Sequence, residues 1–429
     1  MKTYVNPNQE QWETLAKRKT FGVADLNETV KGIFKDIRKN GDSAVSKYTS
    51  IFDGVKINNF EVSDSEIQNA NTLVSDELKT AIQLAADNIK QFHASQKEVA
   101  KTIETTSGVF CWRETRAIET VGIYIPGGTA PLFSTVLMLA IPAKLAGCTT
   151  IILCSPPDKN GEINPAILYT AQLVGITQIY KVGGIQAIAS LTSGTETIPK
   201  VFKIFGPGNQ YVTAAKQYAQ QLGIAIDLPA GPSELLVIAD ETCDVDFVAS
   251  DLLSQAEHGE DSQVILVTTS EKIVEKVTDA IAFQKTNLPR VSIIEKALEN
   301  SRAIVLNSID EAINFSNYYA PEHLILAIDD AENKINLIQN AGSVFIGNYS
   351  CESAGDYASG TNHTLPTNGF AKNYSGVSLD SFVKKITFQK ITKSGIQNLG
   401  KTIELMAAAE QLEAHKNAVS IRLKKLQNG

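Results

Sequence analysis

The chain has 429 residues, 43% of them hydrophobic and 20% charged. That is enough apolar material for two or three domains at roughly 150 residues each, and it excludes global disorder. With 39 Lys and Arg against 47 Asp and Glu, the net charge of −8 argues against a phosphate backbone as the main partner, so nucleic acid is not expected.

The first residues, MKTYVNPNQEQWETLAKRKT, lack the apolar core that a signal peptide needs. Residues 1 to about 100 read as largely helical. From Ser63 to Ala100 apolar residues recur at helical spacing (Leu73, Leu78, Ile82, Ile89) without Gly or Pro, which predicts one long helix. Ser63 and Glu66 have the capping-box form that opens such a helix. His93, inside it, reads as a surface or core-edge histidine without function.

From about residue 108 short β-rich runs alternate with helical ones, the signature of βα units and a mostly parallel sheet. The first series has strands at Thr120–Ile125, Thr149–Cys154, Gln178–Val182 and Val201–Phe205. Its helices lie at Leu132–Ala146, Pro165–Leu173, Gln186–Leu191 and Asn209–Gln221. A second series has strands at Glu234–Ala239, Gln263–Thr268, Ala303–Leu306 and Ser343–Ile346. The most apolar stretch, Val136 to Cys154, is broken by Pro142, Lys144 and Gly147 and falls short of the ~20 residues of a membrane span. Gly347 to Gly376 is rich in Gly, Ser, Asn and Tyr and reads as a long loop, either functional or disordered. Lys393 to Leu426 is helical again and ends in basic residues, which suit a helix C-terminus. The expected fold is therefore α/β, with two incomplete Rossmann-like domains of βα repeats and helical extensions at both ends.

The five cysteines are scattered and without a CxxC pair, so free thiols in a reducing compartment, the cytoplasm, are expected, and any metal must be held by His, carboxylate or amide groups. Of five histidines, four lie in polar, Gly-adjacent or carboxylate-adjacent settings: His258, His323, His363 and His415. Gln255 and His258, three apart at a helix end, could share one face toward a cation, or form a polar helix end capped by Gly259. Glu322 and His323 pair a carboxylate with an imidazole, as acid–base chemistry near neutral pH requires, or decorate a surface loop. Asp356 and His363 flank YASGTN and offer zinc-type ligands, or an ordinary polar loop. Glu410 and His415 stand about 140° apart on a straight helix and would not share a face, whereas Gln411 and His415 would.

Gly-rich turns follow strands at Tyr124–Gly128, Val182–Gln186 and Phe205–Asn209, where backbone amides can cradle phosphates, or where the chain simply makes the tight turns of an α/β fold. Tyr211 stands where GxGxxG needs its third Gly, so the usual dinucleotide fingerprint is absent. A fourth turn, DLPAGPSE, joins the two series and could aim Ser233 into a cleft.

The segments YIPGG, GGIQAIASL, IFGPGNQYV, DLPAGPSELLVIAD, VASDLLSQAEHG, APEHL, SAGDYASGTNHTLPT and AAAEQLEAHKNAVSIRL resemble those of the histidinol dehydrogenase family, collinearly from about residue 108 onward. The resemblance implies a zinc-dependent homodimer that oxidises L-histidinol to L-histidine through L-histidinaldehyde with two NAD, closing histidine biosynthesis. It makes Gln255, His258, Asp356 and His415 the ligands of one Zn²⁺ per subunit, and Glu322 and His323 the acid–base pair. Ser233 and Glu410 join the zinc ligands and His323 in binding substrate, while Tyr124, Gln186 and Asn209 match NAD-contacting positions. The C-terminal arm would reach the neighbouring subunit, so that Glu410 and His415 complete the partner's site; a break near Leu412 would remove the 140° offset. The implied domains are an N-terminal helical arm (1–20), a main α/β domain with the metal and substrate site (21–127 plus 233–372), a second Rossmann-like domain contributing NAD contacts (128–232) and a C-terminal helical arm packing on the partner subunit (373–429). Rival readings are a paralogue oxidising another small hydroxylated compound, a zinc hydrolase with Glu322 as base, and a non-catalytic metal-binding protein.

Overall fold

Six strands build the larger sheet of the computed structural model, which describes residues 1–18, 24–127, 131–229 and 231–428. Gly128 and Ala230, in two of the Gly-rich turns, lie outside the described residues. The strand order is Lys2–Val5, Arg302–Val305, Gln263–Thr268, Glu234–Ala239, His323–Ala327, Ser343–Ile346, and every pairing is parallel. ELLVIA and QVILVT are buried at all six positions, as continuous apolar strands covered on both faces must be. Period-two alternation divides them between two cores: Leu235 and Val237 face one, Leu236 and Ile238 the other.

The smaller parallel sheet has the order Gln178–Lys181, Thr150–Ser155, Thr120–Tyr124, Lys203–Phe205, Ala225–Ile226. The chain starts in its middle, winds outward twice, then crosses back beside Thr120–Tyr124. That reversal opens a crevice at the carboxyl ends of the strands. Helix Phe133–Ala146 is buried at every position from Ser134 to Ala143, so it is apolar all round rather than amphipathic.

The chain divides into two compact units, Met1–Gln96 with Glu119–Ser381, and Lys97–Ile118 with Phe382–Gly429. The first holds both parallel sheets. The second is a three-stranded antiparallel sheet (Val383–Ile391, Val109–Ala117, Ile103–Thr106) with helices Lys393–Ala409 and Glu413–Gln427.

The mixed α/β architecture with helical extensions agrees with the expectation, and several local readings change. The Ser63–Ala100 helix is two, Asp64–Leu73 and Asp76–Ala94. Val74 is extended, and Ser75 caps the second helix by accepting from Leu78 N–H. His93 is fully buried rather than superficial, its Nδ1 3.1 Å from Gln96 Oε1. The supposedly helical N-terminus contributes an edge strand, Lys2–Val5, paired with Arg302–Val305. The loop from Gly347 to Gly376 contains a short helix, Glu352–Tyr357. Finally, the C-terminal helix breaks where Glu410 caps one segment, Gln411 turns left-handed (φ 61°) and Leu412 opens the next.

Candidate active site

The amino ends of the central strands in the six-stranded sheet gather the chemistry. Helix Val245–Ala256 returns from the carboxyl end of Glu234–Ala239, so its last turn delivers Gln255 and the following loop His258 to this edge. His323 is the first residue of its strand and pairs with Leu235 and Ser343. Ala320, left-handed at φ 55°, and Pro321 turn the chain from the preceding helix into Glu322.

Glu322 and His323 are both buried, and they fasten to the same residue's main chain. Glu322 Oε2 accepts from Glu234 N–H at 2.9 Å, and His323 Nδ1–H donates to Glu234 C=O at 3.2 Å. Glu322 Oε2 and His323 Nδ1 are 3.6 Å apart. With its proton on Nδ1, the imidazole presents Nε2 outward.

That Nε2 lies 3.5 Å from Asp356 Oδ1, and both atoms are buried without a hydrogen-bond partner. Around them, His258, Glu352 and Asp356 bring ligand atoms within 4.8 Å of one another. The Gln255 amide, oriented with its nitrogen toward the carboxylate, donates to Glu352 Oε2 at 3.2 Å and to Oε1. His363 does not face the cluster with both nitrogens: Nδ1–H donates to the Asp356 carbonyl at 2.9 Å, and Nε2 accepts from Thr135 Oγ1 at 2.9 Å. These two bonds link the Asp356 main chain to Thr135.

Electrostatics describe a site short of positive charge. Burial pushes the Glu322 carboxyl up to about 8, against the pull of His323. It does the same to Glu352, also up to about 8 with His323 opposing. Burial works against the charged form of His323, but Glu322, Asp356 and Glu352 outweigh it and push the ring up to about 10. Burial raises Asp356 too, yet its contact with His323 leaves it below the ordinary value. Three buried carboxyls, two imidazoles and two orphaned polar atoms fit a divalent cation bound through nitrogen and oxygen.

Glu352 escaped the sequence reading. It stands four residues before Asp356, one turn apart on a helix, and that spacing was the available signal. Ser233 precedes the strand Glu234–Ala239 at the same edge, where its carbonyl accepts from Gln263 N–H at 3.1 Å. Glu410 and His415 belong to the second compact unit, on either side of the helix break.

The Gly-rich turns sit at the carboxyl ends of the five-stranded sheet. Tyr124 ends one strand, and its hydroxyl accepts from Gly184 N–H at 3.2 Å. Gln186 is fully buried and donates to Asp53 Oδ2 at 3.0 Å, while its Oε1 has no partner. Asn209 caps helix Gln210–Gln221 by accepting from Tyr211 and Val212 N–H. A side chain at Gly206 would meet the Tyr124 carbonyl oxygen at 2.0 Å. The buried Lys216–Asp227 pair grips that turn: Lys216 donates to Gly206 C=O and Asp227 accepts from Gly206 N–H, each at 2.8 Å.

The histidinol dehydrogenase family profile matches residues 16–423. The chain belongs to the histidinol dehydrogenase family. A histidinol dehydrogenase from Bacteroides thetaiotaomicron is 57% identical over 99% of this chain and 100% of its own length. One from Mannheimia succiniciproducens is 51% identical over 97% of each chain. The crystal structure of histidinol dehydrogenase from Elizabethkingia anophelis superposes with a TM-score of 0.98 at 64% identity, covering 100% of this chain and 99% of that one. An acetylating aldehyde dehydrogenase from Geobacillus thermoglucosidasius, 13% identical with a TM-score of 0.50, shares only the fold, over 89% of this chain and 94% of that one. Family membership makes the chain an oxidoreductase. Among the described residues no helix is long and apolar enough to cross a membrane.

Proposed function

We propose that the chain oxidises L-histidinol to L-histidine through L-histidinaldehyde, consuming two NAD, as the last steps of histidine biosynthesis in the cytoplasm. The observation that carries this reading is the buried Glu322–His323 pair beside the orphaned His323 Nε2 and Asp356 Oδ1. On it, Gln255, His258, Asp356 and, from the partner subunit of a homodimer, the residue equivalent to His415 hold one Zn²⁺ per site. When bound, the ion supplies a Lewis acid that fixes the substrate's amine and imidazole. NAD, at Tyr124, Gln186 and Asn209, is the hydride acceptor.

His323 Nε2 takes the alcohol proton while Glu234 C=O holds the proton on Nδ1. Against the burial that lowers it, Glu322, then Asp356 and Glu352, raise the His323 pKa in the bare protein. With Asp356 facing a cation, its pull on the ring weakens and the ring moves toward accepting a proton nearer neutral pH. Glu322, whose carboxyl burial pushes up to about 8, takes in its ionised form a proton from the water that hydrates the aldehyde before the second hydride leaves. Ser233 and Glu410 contact substrate, and His363 keeps Asp356 in place. On this reading 21–127 plus 233–372 carries metal and substrate and lends Tyr124 to NAD, 128–232 supplies the remaining NAD contacts, 373–429 is the arm given to the partner, and 1–20 is an N-terminal arm that adds the edge strand Lys2–Val5.

The test is the stoichiometry of NADH formed from L-histidinol, alongside a panel of other small alcohols. Two NADH per histidinol, lost with a chelator and restored by zinc, is the expected result. One per substrate, preference for another alcohol, or turnover indifferent to metal removal contradicts it.

A further inference from the structure

Arg18 lies far from Glu322 in the chain, yet it grips both the residue that holds the acid–base pair and the turn that leads into it. Its Nε donates to Glu234 Oε1 at 2.6 Å and its Nη2 to Oε2 at 2.9 Å, a two-pronged pair. The same Nη2 donates to the carbonyls of Tyr319 at 2.8 Å and Ala320 at 3.3 Å. The guanidinium lies 3.8 Å over the Tyr319 ring, and Tyr319 is itself pinned by its hydroxyl, which donates to Gln263 Oε1 at 2.9 Å. Asn368 N–H donates to Glu234 Oε1 at 2.8 Å, a further tether on the same carboxylate.

Glu234 spends its main chain on catalysis and its side chain on Arg18. Its N–H fixes Glu322 Oε2 and its C=O fixes His323 Nδ1–H. Ala320 is the left-handed residue two before Glu322, so a shift of its carbonyl moves the start of the catalytic strand. We infer that Arg18 is a positioning residue for the reaction: it holds the Glu234 peptide and the Tyr319–Ala320 turn in the register that aims the carboxylate of Glu322 and Nε2 of His323 at substrate. This rests on the reading of Glu322 and His323 as the acid–base pair. The guanidinium is needed rather than a positive charge alone, because an ammonium cannot serve two carboxylate oxygens and two carbonyls in one plane while stacked on a ring.

Arg18→Lys keeps the charge opposite Glu234 and removes the fork. The expected result is a fall in kcat of about tenfold to a hundredfold, as misplacement of reacting groups produces. KM for histidinol and zinc per chain should stay within about twofold of the parent, and the solvent deuterium isotope effect on kcat should rise. The doubly neutral variant Arg18→Met with Glu234→Gln carries no unpaired buried charge, so it tests the geometry should the lysine variant fold poorly; it should be at least as slow. Parent-like kcat in either variant overturns the inference, as does a loss that merely tracks the folded, zinc-loaded fraction. Glu322→Gln and His323→Asn run in the same assay separate the two levels. If both turn over at the parent rate, the acid–base reading falls and takes this inference with it. If both are slow while Arg18→Lys is not, the pair stands and only the role of Arg18 is refuted.

Discussion

His258 reaches solvent from the cluster and has no hydrogen bond to Glu234, so its loss should separate metal binding from proton transfer. His258→Ala is expected to lose most bound zinc, read as metal per chain after dialysis, with catalysis falling in step. His323→Asn should retain zinc to within about threefold in affinity and instead lower kcat by about a hundredfold or more, the usual range for a general base. Asp53, under Gln186, makes a different prediction. Burial pushes its carboxyl up to about 6 from the ordinary 3.8, and the Gln186 N–H only partly offsets that. Below about pH 4 the group is protonated in folded and unfolded chains alike. Between about 4 and 6 the unfolded chain loses its proton first, so this group's contribution to stability falls as pH rises, then stays constant. Asp53→Asn should therefore match the parent near pH 4 and exceed it above pH 7 by about 1 kcal/mol, allowing for partial solvent screening. Urea denaturation of the metal-free protein across that range checks it; a difference independent of pH would refute the assignment.

Elements set what each residue can reach. The strand-to-helix turn at Gly206 runs at φ 127°, with the Tyr124 carbonyl where a Cβ would sit. Gly206→Ala should cost about 3 kcal/mol or more by forcing the strand apart and straining the turn, measurable as a lowered unfolding midpoint. An unchanged midpoint would mean the turn adapts freely. The break at Glu410–Leu412 matters for another reason: counting 100° per residue through it has no meaning, so Glu410 and His415 are released from the 140° separation of a straight helix. Local sequence announces most βα elements of the parallel sheets, and the strands Glu234–Ala239 and Gln263–Thr268 lie where the sequence runs ELLVIA and QVILVT do. It was less informative at Val74–Ser75, where one extended residue and a serine cap divide a helical pattern that continues on both sides.

At the scale of the whole molecule, the division into two units bears on the dimer. If Glu410 and His415 complete the partner's site, inactive Glu322→Gln and His415→Ala chains should recover activity when mixed and reassembled. Random pairing leaves one intact site in half of the dimers, so about a quarter of the parent rate is expected. No recovery, with mixed dimers demonstrated by native mass spectrometry, would confine each site to one chain.

The apolar runs and glycine turns, read along the chain, were enough for the α/β class, because periodicity and turn propensity are local properties, and the ordered motifs were enough for the family. Glu352 and Asp356 meeting His258, Arg18 gripping Glu234, and the choice of the amino rather than the carboxyl edge of the six-stranded sheet were decided only by folding. Arg18 and Glu234 are 216 residues apart, and Glu234 and Glu322 are 88. Contacts over such separations come from strand order and from buried groups finding partners, and no stretch of sequence encodes either alone.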